Sequence, residues 1–259
     1  IELGIDLKKV KVTATETSKV PNASPTAASS GTDMNGMAVK NAIDKLKERI
    51  VEKIACYFSN SCGSPHSEEE NIVFSGNYIF DQKHPERKIA FTEAVNFVYM
   101  QRESLSATGF YKTPGVEFDR DLGKGTPFYY FAYGMSVSEI ELDTLTGYVK
   151  QLRTDIIHDV GKSINSNIDI GQIEGAFIQG LGWVTTEEMK YDKKGNLLNH
   201  SPDTYKIPGV NDIPEIFNVE LLKDADHEPT IHKSKAVGEP PFMLAFSTWL
   251  AIKDAISSV

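Results

Sequence analysis

The sequence of 259 residues has only two cysteines, Cys56 and Cys62, and both lie in a polar stretch. A disulfide framework needs more cysteines than this, and an iron–sulfur cluster is usually held by four. No second Cys/His pair is spaced to complete a metal site with them. Two unpaired thiols are therefore the simplest interpretation.

The sequence also lacks long runs of one residue class. The formal net charge is -9, and the sequence has no long Lys/Arg run that would bind nucleic acid or anionic lipid. No apolar stretch approaches the roughly 20 residues that span a bilayer, and the first residues lack the pattern of a signal peptide. No G-x-G-x-x-G follows a strand, which argues against a dinucleotide site. We expect a soluble cytoplasmic protein with no nucleic-acid or membrane partner.

The composition is that of a folded protein. With 40% hydrophobic and 24% charged residues, the chain can bury a core as one large domain or as two lobes. The chain starts at Ile1 rather than Met, and a strand is predicted at Val10 to Ala14. Since a strand needs partners, we expect that upstream chain was cut away or lies on another polypeptide.

Hydrophobic spacing divides the chain into helices, hairpins and loops. Helices are predicted at Asp33 to about Ile54, Phe91 to Met100, Ile170 to about Gly182 and Phe242 to about Ser257. Strands are predicted at Ser104 to Tyr111 and between Phe128 and Val160, with turns at Asp143–Gly147 and Lys193–Asn196. Loops are predicted at Val20–Asp33 and at residues 59–71. This mixture predicts an α+β fold, and we place the division between two lobes near residue 100.

Glu239 stands before two prolines, which restrict its backbone and exclude the α conformation for it. Because Pro241 suits the first turn of the following helix, the carboxylate is expected near the positive end of that helix, where an ionised base is stabilised. On spacing alone, a Glu239 that only caps the helix and pairs with Lys235 is the simpler interpretation, since charged helix starts are common.

Two further stretches carry polar groups at predicted helix starts. The small residues of Pro25–Asp33 leave main-chain N–H groups accessible, so a polar or anionic ligand can be cradled there; an ordinary Ser/Thr cap is the alternative. Gln172, in the predicted first turn of its helix, can both donate and accept hydrogen bonds, or be a plain surface residue. His158 beside Asp159 has no Ser or Cys nucleophile motif nearby, which disfavours acid–base catalysis by that pair.

Taken together and in order, these stretches resemble the xanthine dehydrogenase and aldehyde oxidase family of molybdenum hydroxylases. The resemblance spans nearly the whole chain and is closest to xanthine dehydrogenases, especially bacterial forms with a separate molybdenum-binding subunit. The matching segments are Val20–Ser29, Ser104–Pro114, Asp155–Gly161, Asp169–Ala176, Thr204–Pro208 and Lys235–Pro241.

The resemblance implies that residues 1–259 are the C-terminal part of a molybdopterin-binding region built of related lobes. The metal would be held by the dithiolene sulfurs of the pterin and by no protein side chain. Ala27 and Ala28 would form the floor of the substrate pocket, and Gln172 would bond near the molybdenum ligands. The residues that would contact the pterin, several of them through the main chain, are Ala28, Ser29, Ser30, Gly31, Thr32 and Gln172.

The resemblance also assigns Glu239 as the catalytic base. It would take a proton from a molybdenum-bound hydroxyl, so that this oxygen attacks an electron-poor ring carbon while hydride passes to a sulfido ligand. The implied reaction is hydroxylation of purines, from hypoxanthine to xanthine to urate, with water as the oxygen source. The [2Fe–2S] clusters, FAD and the rest of the molybdenum-binding region would be partners outside this chain, which would be inactive alone.

Two other interpretations remain open at this point. An aldehyde oxidase or another N-heterocycle hydroxylase of the same family would share these cofactor residues. A non-catalytic scaffold fragment would keep the fold and lose the metal, although the presence of Glu239 and Gln172 argues against it.

Overall fold

The computed structural model describes residues 1–14, 16–18, 26–62, 67–223, 225 and 229–259. The chain forms two compact units: unit 1 is Ile1–Pro25 with Met34–Lys112, and unit 2 is Thr26–Asp33 with Thr113–Val259. Helices and small sheets occur in both, which confirms the α+β prediction. The division near residue 100 stays a prediction about the domain organisation.

Unit 1 packs two helices with a small antiparallel sheet. Most of α1 (Gly31–Cys62) and all of α2 (Phe91–Met100) belong to it. The sheet consists of β1 (Ile72–Ser75), β2 (Tyr78–Asp81) and β3 (Lys88–Ala90), in that order. Apolar side chains of these elements form one core because they are removed from water together. The buried members are Ile50, Ile54, Ala55, Phe58, Ile72, Ile79, Ile89, Ala94 and Val98.

The segment Ser104–Tyr111 was predicted as a strand, and that prediction is wrong. The segment is extended and its exposure alternates, but it forms no ladder with a strand in the described part of the chain. Instead, the carbonyl oxygens of this segment accept hydrogen bonds from side chains on one face of α1. Arg49 donates to Ser104 and Ser106, Lys45 to Thr108, and Asn41 to Phe110, at 2.7–3.0 Å. These three donors recur every four residues, so they lie along one stripe of the helix.

Unit 2 contains a mixed three-stranded sheet with helices on one face. In this sheet, β6 (Gly134–Leu142) pairs antiparallel with β7 (Val149–His158), and β7 pairs parallel with β8 (Ile216–Leu221). A separate hairpin comprises β4 (Glu117–Asp119) and β5 (Lys124–Thr126). The helices are α3 (Ser166–Val184) and α4 (Phe246–Ser257), and the 3-10 helix Pro240–Ala245 leads directly into α4. The buried core of the unit is Ile156, Val160, Ile173, Phe177 and Ala245.

Glycine lets α3 approach the 3-10 helix closely, as its small residues predicted. A Cβ on Gly180 would lie 2.3 Å from the carbonyl oxygen of Phe242, a distance that real Cβ atoms do not adopt. The helix begins earlier than predicted, at Ser166, because Asn165 caps it by accepting a hydrogen bond from the amide of Ile168. Gln172 therefore lies in the second turn of α3 and not in the first.

Several other boundaries differ from the predictions. Val10–Ala14 is exposed and irregular rather than a strand, since no strand of the described residues pairs with it. The aromatic run Phe128–Tyr133 is also irregular, whereas the hairpin around Lys193–Asn196 is present as a bridge between Tyr191 and Leu197. The predicted loops fall partly on residues 20–25 and 63–66, which lie outside the described residues, as does the side chain of Cys62. Cys56 is exposed and unpaired.

None of the helices in the described part of the chain combines the length and the apolar character needed to cross a membrane.

Candidate functional site

A cavity of about 410 Å³ lies in unit 2, where three segments meet. One wall is the start of α1, another is the start of α3, and the third is the segment Lys235–Gly238. The first N–H groups of a helix have no acceptor inside the helix and give its end a positive partial charge. Two helix starts at one cavity therefore favour a ligand that accepts hydrogen bonds or carries negative charge.

The wall before α1 is a tight turn in a left-handed conformation. Ala28 and Ser29 have φ angles of 55° and 56°, and the amide and hydroxyl of Ser30 both donate to the carbonyl of Ala27. This conformation costs a residue with a Cβ about 1–2 kcal/mol. The turn brings Ser29 to the cavity, while Ala27 and Ala28 are exposed and do not line it.

Ser29, Gln172 and Gly238 meet at the cavity although they are far apart in the sequence. A Cβ on Gly238 would lie 2.5 Å from the hydroxyl oxygen of Ser29 and 3.3 Å from the amide oxygen of Gln172. The absence of a side chain at Gly238 is therefore what allows the three segments to approach. Of the other predicted residues, Gly31 and Thr32 also line the cavity.

Glu239 directly follows Gly238 and is exposed. Its backbone adopts φ −100° and ψ −35°, so the prediction that the following proline keeps it out of the α region is wrong. The reason is that its carbonyl accepts the amide of Phe242 at 3.0 Å and starts the 3-10 helix. Its carboxylate makes no capping hydrogen bond, which removes the interpretation of Glu239 as a side-chain cap.

Lys235 is fixed by a buried ion pair with Asp159, not by Glu239. Its ammonium lies 2.5 Å from one carboxylate oxygen of Asp159 and donates to the carbonyl of Phe131 at 3.1 Å. The other oxygen of Asp159 accepts the amide of Gly161 at 2.7 Å. The amide of Lys235 also donates to the carbonyl of Val160, so the segment before Glu239 is held against the end of β7.

His158, the neighbour of Asp159, is a buried residue of the sheet. Its imidazole packs against the backbone of Gly134, and it does not line the cavity. Burial lowers the pKa of His158 below its ordinary value, so the ring is neutral at neutral pH. The structure thus places His158 in a packing role, in line with the sequence argument against acid–base catalysis.

Tyr130 and Asp33 were not singled out by the sequence, although both are close to the site. The hydroxyl of Tyr130 accepts the amide of Ala236 at 2.7 Å and donates to the carboxylate of Asp33 in the first turn of α1. Burial raises the pKa of Asp33, and the bond from Tyr130 partly opposes this effect. The aromatic run around Tyr130 has the composition of a strand, and this pattern does not indicate the role of its hydroxyl.

These features define a class of site: a cavity at two helix starts that offers main-chain N–H groups, the hydroxyls of Ser29 and Thr32, and the amide of Gln172. Within the described residues, no three His, Cys, Asp or Glu side chains are grouped so that they could hold a metal ion. Such a donor set suits an extended, polar organic cofactor bound through its own heteroatoms.

The chain belongs to the molybdopterin cofactor-binding domain family, whose model matches residues 1–214. It is 45% identical over 99% of its length to a xanthine dehydrogenase/oxidase of Gallus gallus, and 45% identical over 98% to a xanthine dehydrogenase of Oryza sativa subsp. japonica. In both comparisons the chain spans only 17% of the relative.

Solved structures of low sequence identity share the fold. A carbon monoxide dehydrogenase from Oligotropha carboxidovorans matches with a TM-score of 0.76 at 21% identity, over 93% of this chain and 28% of that chain. Quinoline 2-oxidoreductase from Pseudomonas putida 86 matches with a TM-score of 0.74 at 23% identity, over 90% of this chain and 28% of that chain. The predicted family and its molybdopterin-binding fold are confirmed, whereas the role of each site residue stays a prediction.

The contact of Gly238 with Ser29 and Gln172 gives a first prediction. In the complete native protein, Gly238→Ala should displace Ser29 and lower the amount of bound molybdopterin at least severalfold, because the new methyl group occupies the space of the Ser29 hydroxyl. Metal analysis and pterin fluorescence after denaturation measure this. Gly175→Ala is the matched control, since nothing lies within 4 Å of a Cβ there. Full cofactor content in Gly238→Ala would show that the close approach is not required.

The buried His158 gives a second prediction, on pH. Because its folded pKa is lower than the unfolded value, the unfolded state takes up a proton first as the pH falls below about 6.5. The contribution of His158 to the free energy of unfolding is therefore retained above that pH. Below it, the free energy of unfolding falls by at most about 1.4 kcal/mol per pH unit. His158→Gln should flatten this acid-side loss in thermal unfolding between pH 7.5 and 5, and His84→Gln, at an exposed position, should not. Equal slopes for wild type and His158→Gln would contradict the assignment.

Proposed function

We propose that this chain is part of a molybdenum hydroxylase of the xanthine dehydrogenase type, which converts hypoxanthine to xanthine and xanthine to urate with water as the oxygen source. The observation that carries the proposal is the convergence of Ser29, Gln172 and Gly238 at one cavity directly before Glu239. Relatives named xanthine dehydrogenase, 43–45% identical over nearly the whole chain, support the substrate class.

The residues of the cavity fit the proposed cofactor. Ser29, Gly31 and Thr32 line the cavity and would hold it through their main chain and through the Ser29 hydroxyl. Ala28 and Ser30 belong to the same turn but lie outside this lining, so their main-chain contacts rest on the family resemblance alone. Gln172, on the wall formed by α3, can donate and accept hydrogen bonds. Gly238 has no Cβ, which lets Ser29 and Gln172 approach the segment before Glu239. When bound, the cofactor supplies a two-electron acceptor and the means of activating water.

Glu239 would act as the general base that removes a proton from the attacking oxygen. Its carboxylate is not used by the fold as a helix cap, and the two prolines after it limit the motion of its backbone. A well-placed general base contributes about 10²–10⁴ in rate. Ala27 and Ala28, which are exposed and small, would form the floor of the substrate pocket.

Other parts of the complete protein would supply the remaining steps. Since the chain spans 17% of its relatives, we propose that the rest of the molybdenum-binding region, the iron–sulfur clusters and FAD lie outside it. Electrons taken from the substrate would leave through those groups.

The substrate assignment is tested by anaerobic turnover of the complete native protein with xanthine, hypoxanthine, other N-heterocycles and a panel of aldehydes. We expect the highest kcat/KM for xanthine and hypoxanthine. A clear preference for aldehydes or another heterocycle would assign the chain to a different hydroxylase of the family. Absence of both molybdenum and pterin from the native protein would indicate a non-catalytic scaffold instead.

Glu239→Gln should leave the cofactor bound and nearly abolish turnover, because an amide of the same size cannot accept the proton. The expected loss of kcat is at least about 10²-fold. Molybdenum and pterin content and steady-state rates are measured on the same preparations. Glu93→Gln, at an exposed glutamate of α2, is the matched control and should keep full activity. Substantial turnover by Glu239→Gln would refute its role as the base.

A further inference from the structure

The hydroxyl of Tyr130 connects two of the three walls of the cavity. It accepts the amide hydrogen of Ala236 at 2.7 Å, and Ala236 lies two residues before Gly238. The same hydroxyl donates to a carboxylate oxygen of Asp33, which lies four residues after Ser29. One phenol oxygen therefore joins the segment that leads to Glu239 to the segment that presents Ser29.

The other end of this bridge has little else to hold it. The second carboxylate oxygen of Asp33 is buried, and no hydrogen-bond partner for it occurs among the described residues. Because this oxygen is removed from water and has no described partner, the bond from Tyr130 to the other oxygen is the side-chain contact that the structure shows for this half-buried carboxylate. The position of Asp33 at the start of α1 is thus tied to Tyr130.

The Tyr130 bridge and the Lys235–Asp159 ion pair hold two different residues of the same segment. The ion pair holds Lys235 against the end of β7, whereas Tyr130 holds the next residue, Ala236, to the start of α1. The two bonds therefore hold neighbouring residues of one segment, three and two positions before Gly238, to two different parts of the unit.

We propose that Tyr130 and Asp33 are positioning residues whose bridge sets the placement of Glu239 relative to the Ser29 turn. The catalytic consequence rests on the proposed function, while the structural link between the two walls does not. Neither residue needs to touch the substrate or the cofactor, since both act through Ala236 and through the first turn of α1.

The test uses Tyr130→Phe in the complete native protein, which removes one oxygen and keeps the ring. Amide hydrogen exchange of a peptide covering Lys235–Glu239 should become faster, because the Ala236 amide loses its acceptor. The value of kcat per bound molybdenum should fall about 10- to 100-fold with KM changed less, since a displacement of about 1 Å at a reacting group costs up to about 10²-fold. Tyr191→Phe, at an exposed tyrosine, is the matched control and should change neither quantity.

A purely structural role would give a different result. It would lower the melting temperature and the cofactor content but leave kcat per bound molybdenum unchanged, and that outcome overturns the proposal. Asp33→Asn serves as a second variant in case Tyr130→Phe does not fold. It keeps an acceptor for the phenol but loses the charge, so an intermediate loss of about threefold is expected. Unchanged exchange and unchanged kcat in Asp33→Asn also overturn the proposal.

Failure of the proposed function is distinguishable from failure of the bridge. If the native protein does not oxidise purines but exchange at Lys235–Glu239 still accelerates in Tyr130→Phe, the link between the walls stands and the substrate assignment fails. In that case the kcat comparison is made with whichever aldehyde or heterocycle the protein oxidises. If purines are oxidised and Tyr130→Phe changes neither exchange nor kcat, the bridge fails alone.

Discussion

The buried ion pair between Lys235 and Asp159 is the constraint on which the candidate site depends. Both side chains are at most 4% exposed, so each charge has lost its water and relies on the other. Removing one partner from such a pair typically costs about 3–5 kcal/mol, because the remaining charge is left unpaired. The pair therefore fixes the segment before Glu239 to the end of β7, and the turn at Ser29 and the helix carrying Gln172 are arranged around that fixed segment.

Close packing around the site depends on missing side chains. Gly238 has no Cβ that would collide with the Ser29 hydroxyl, and Gly180 lets α3 approach the 3-10 helix that follows Glu239. In the opposite direction, Ala28 and Ser29 accept a left-handed backbone that glycine would adopt more easily. This backbone brings the Ser29 hydroxyl to the cavity, while Ala28 lies outside the lining.

The sequence predicts local structure well and long-range contacts poorly. The helix Phe91–Met100 and the hairpin of β6 and β7 follow from periodicity and turn residues that lie within the elements themselves. The pair Gly76–Asn77 is a local turn signal of the same kind, since two positive φ angles there close the hairpin of β1 and β2. By contrast, Ser104–Tyr111 has the pattern of a strand but pairs with side chains of α1, which only tertiary structure can show. The family resemblance led to Ser29 and Gln172; no local pattern points to Tyr130, whose partners lie 97 and 106 residues away.

The prolines after Glu239 explain why its carboxylate does not cap the helix that follows. A helix start normally has free amides that give it a positive partial charge, and this charge attracts a nearby carboxylate. Pro240 and Pro241 have no N–H groups, and the first amide that follows, that of Phe242, is satisfied by the main-chain carbonyl of Glu239. The helix can therefore begin without a capping bond from the Glu239 side chain. If Glu239 is the base that we propose, its backbone is restricted by the prolines while its carboxylate is not used to cap the helix.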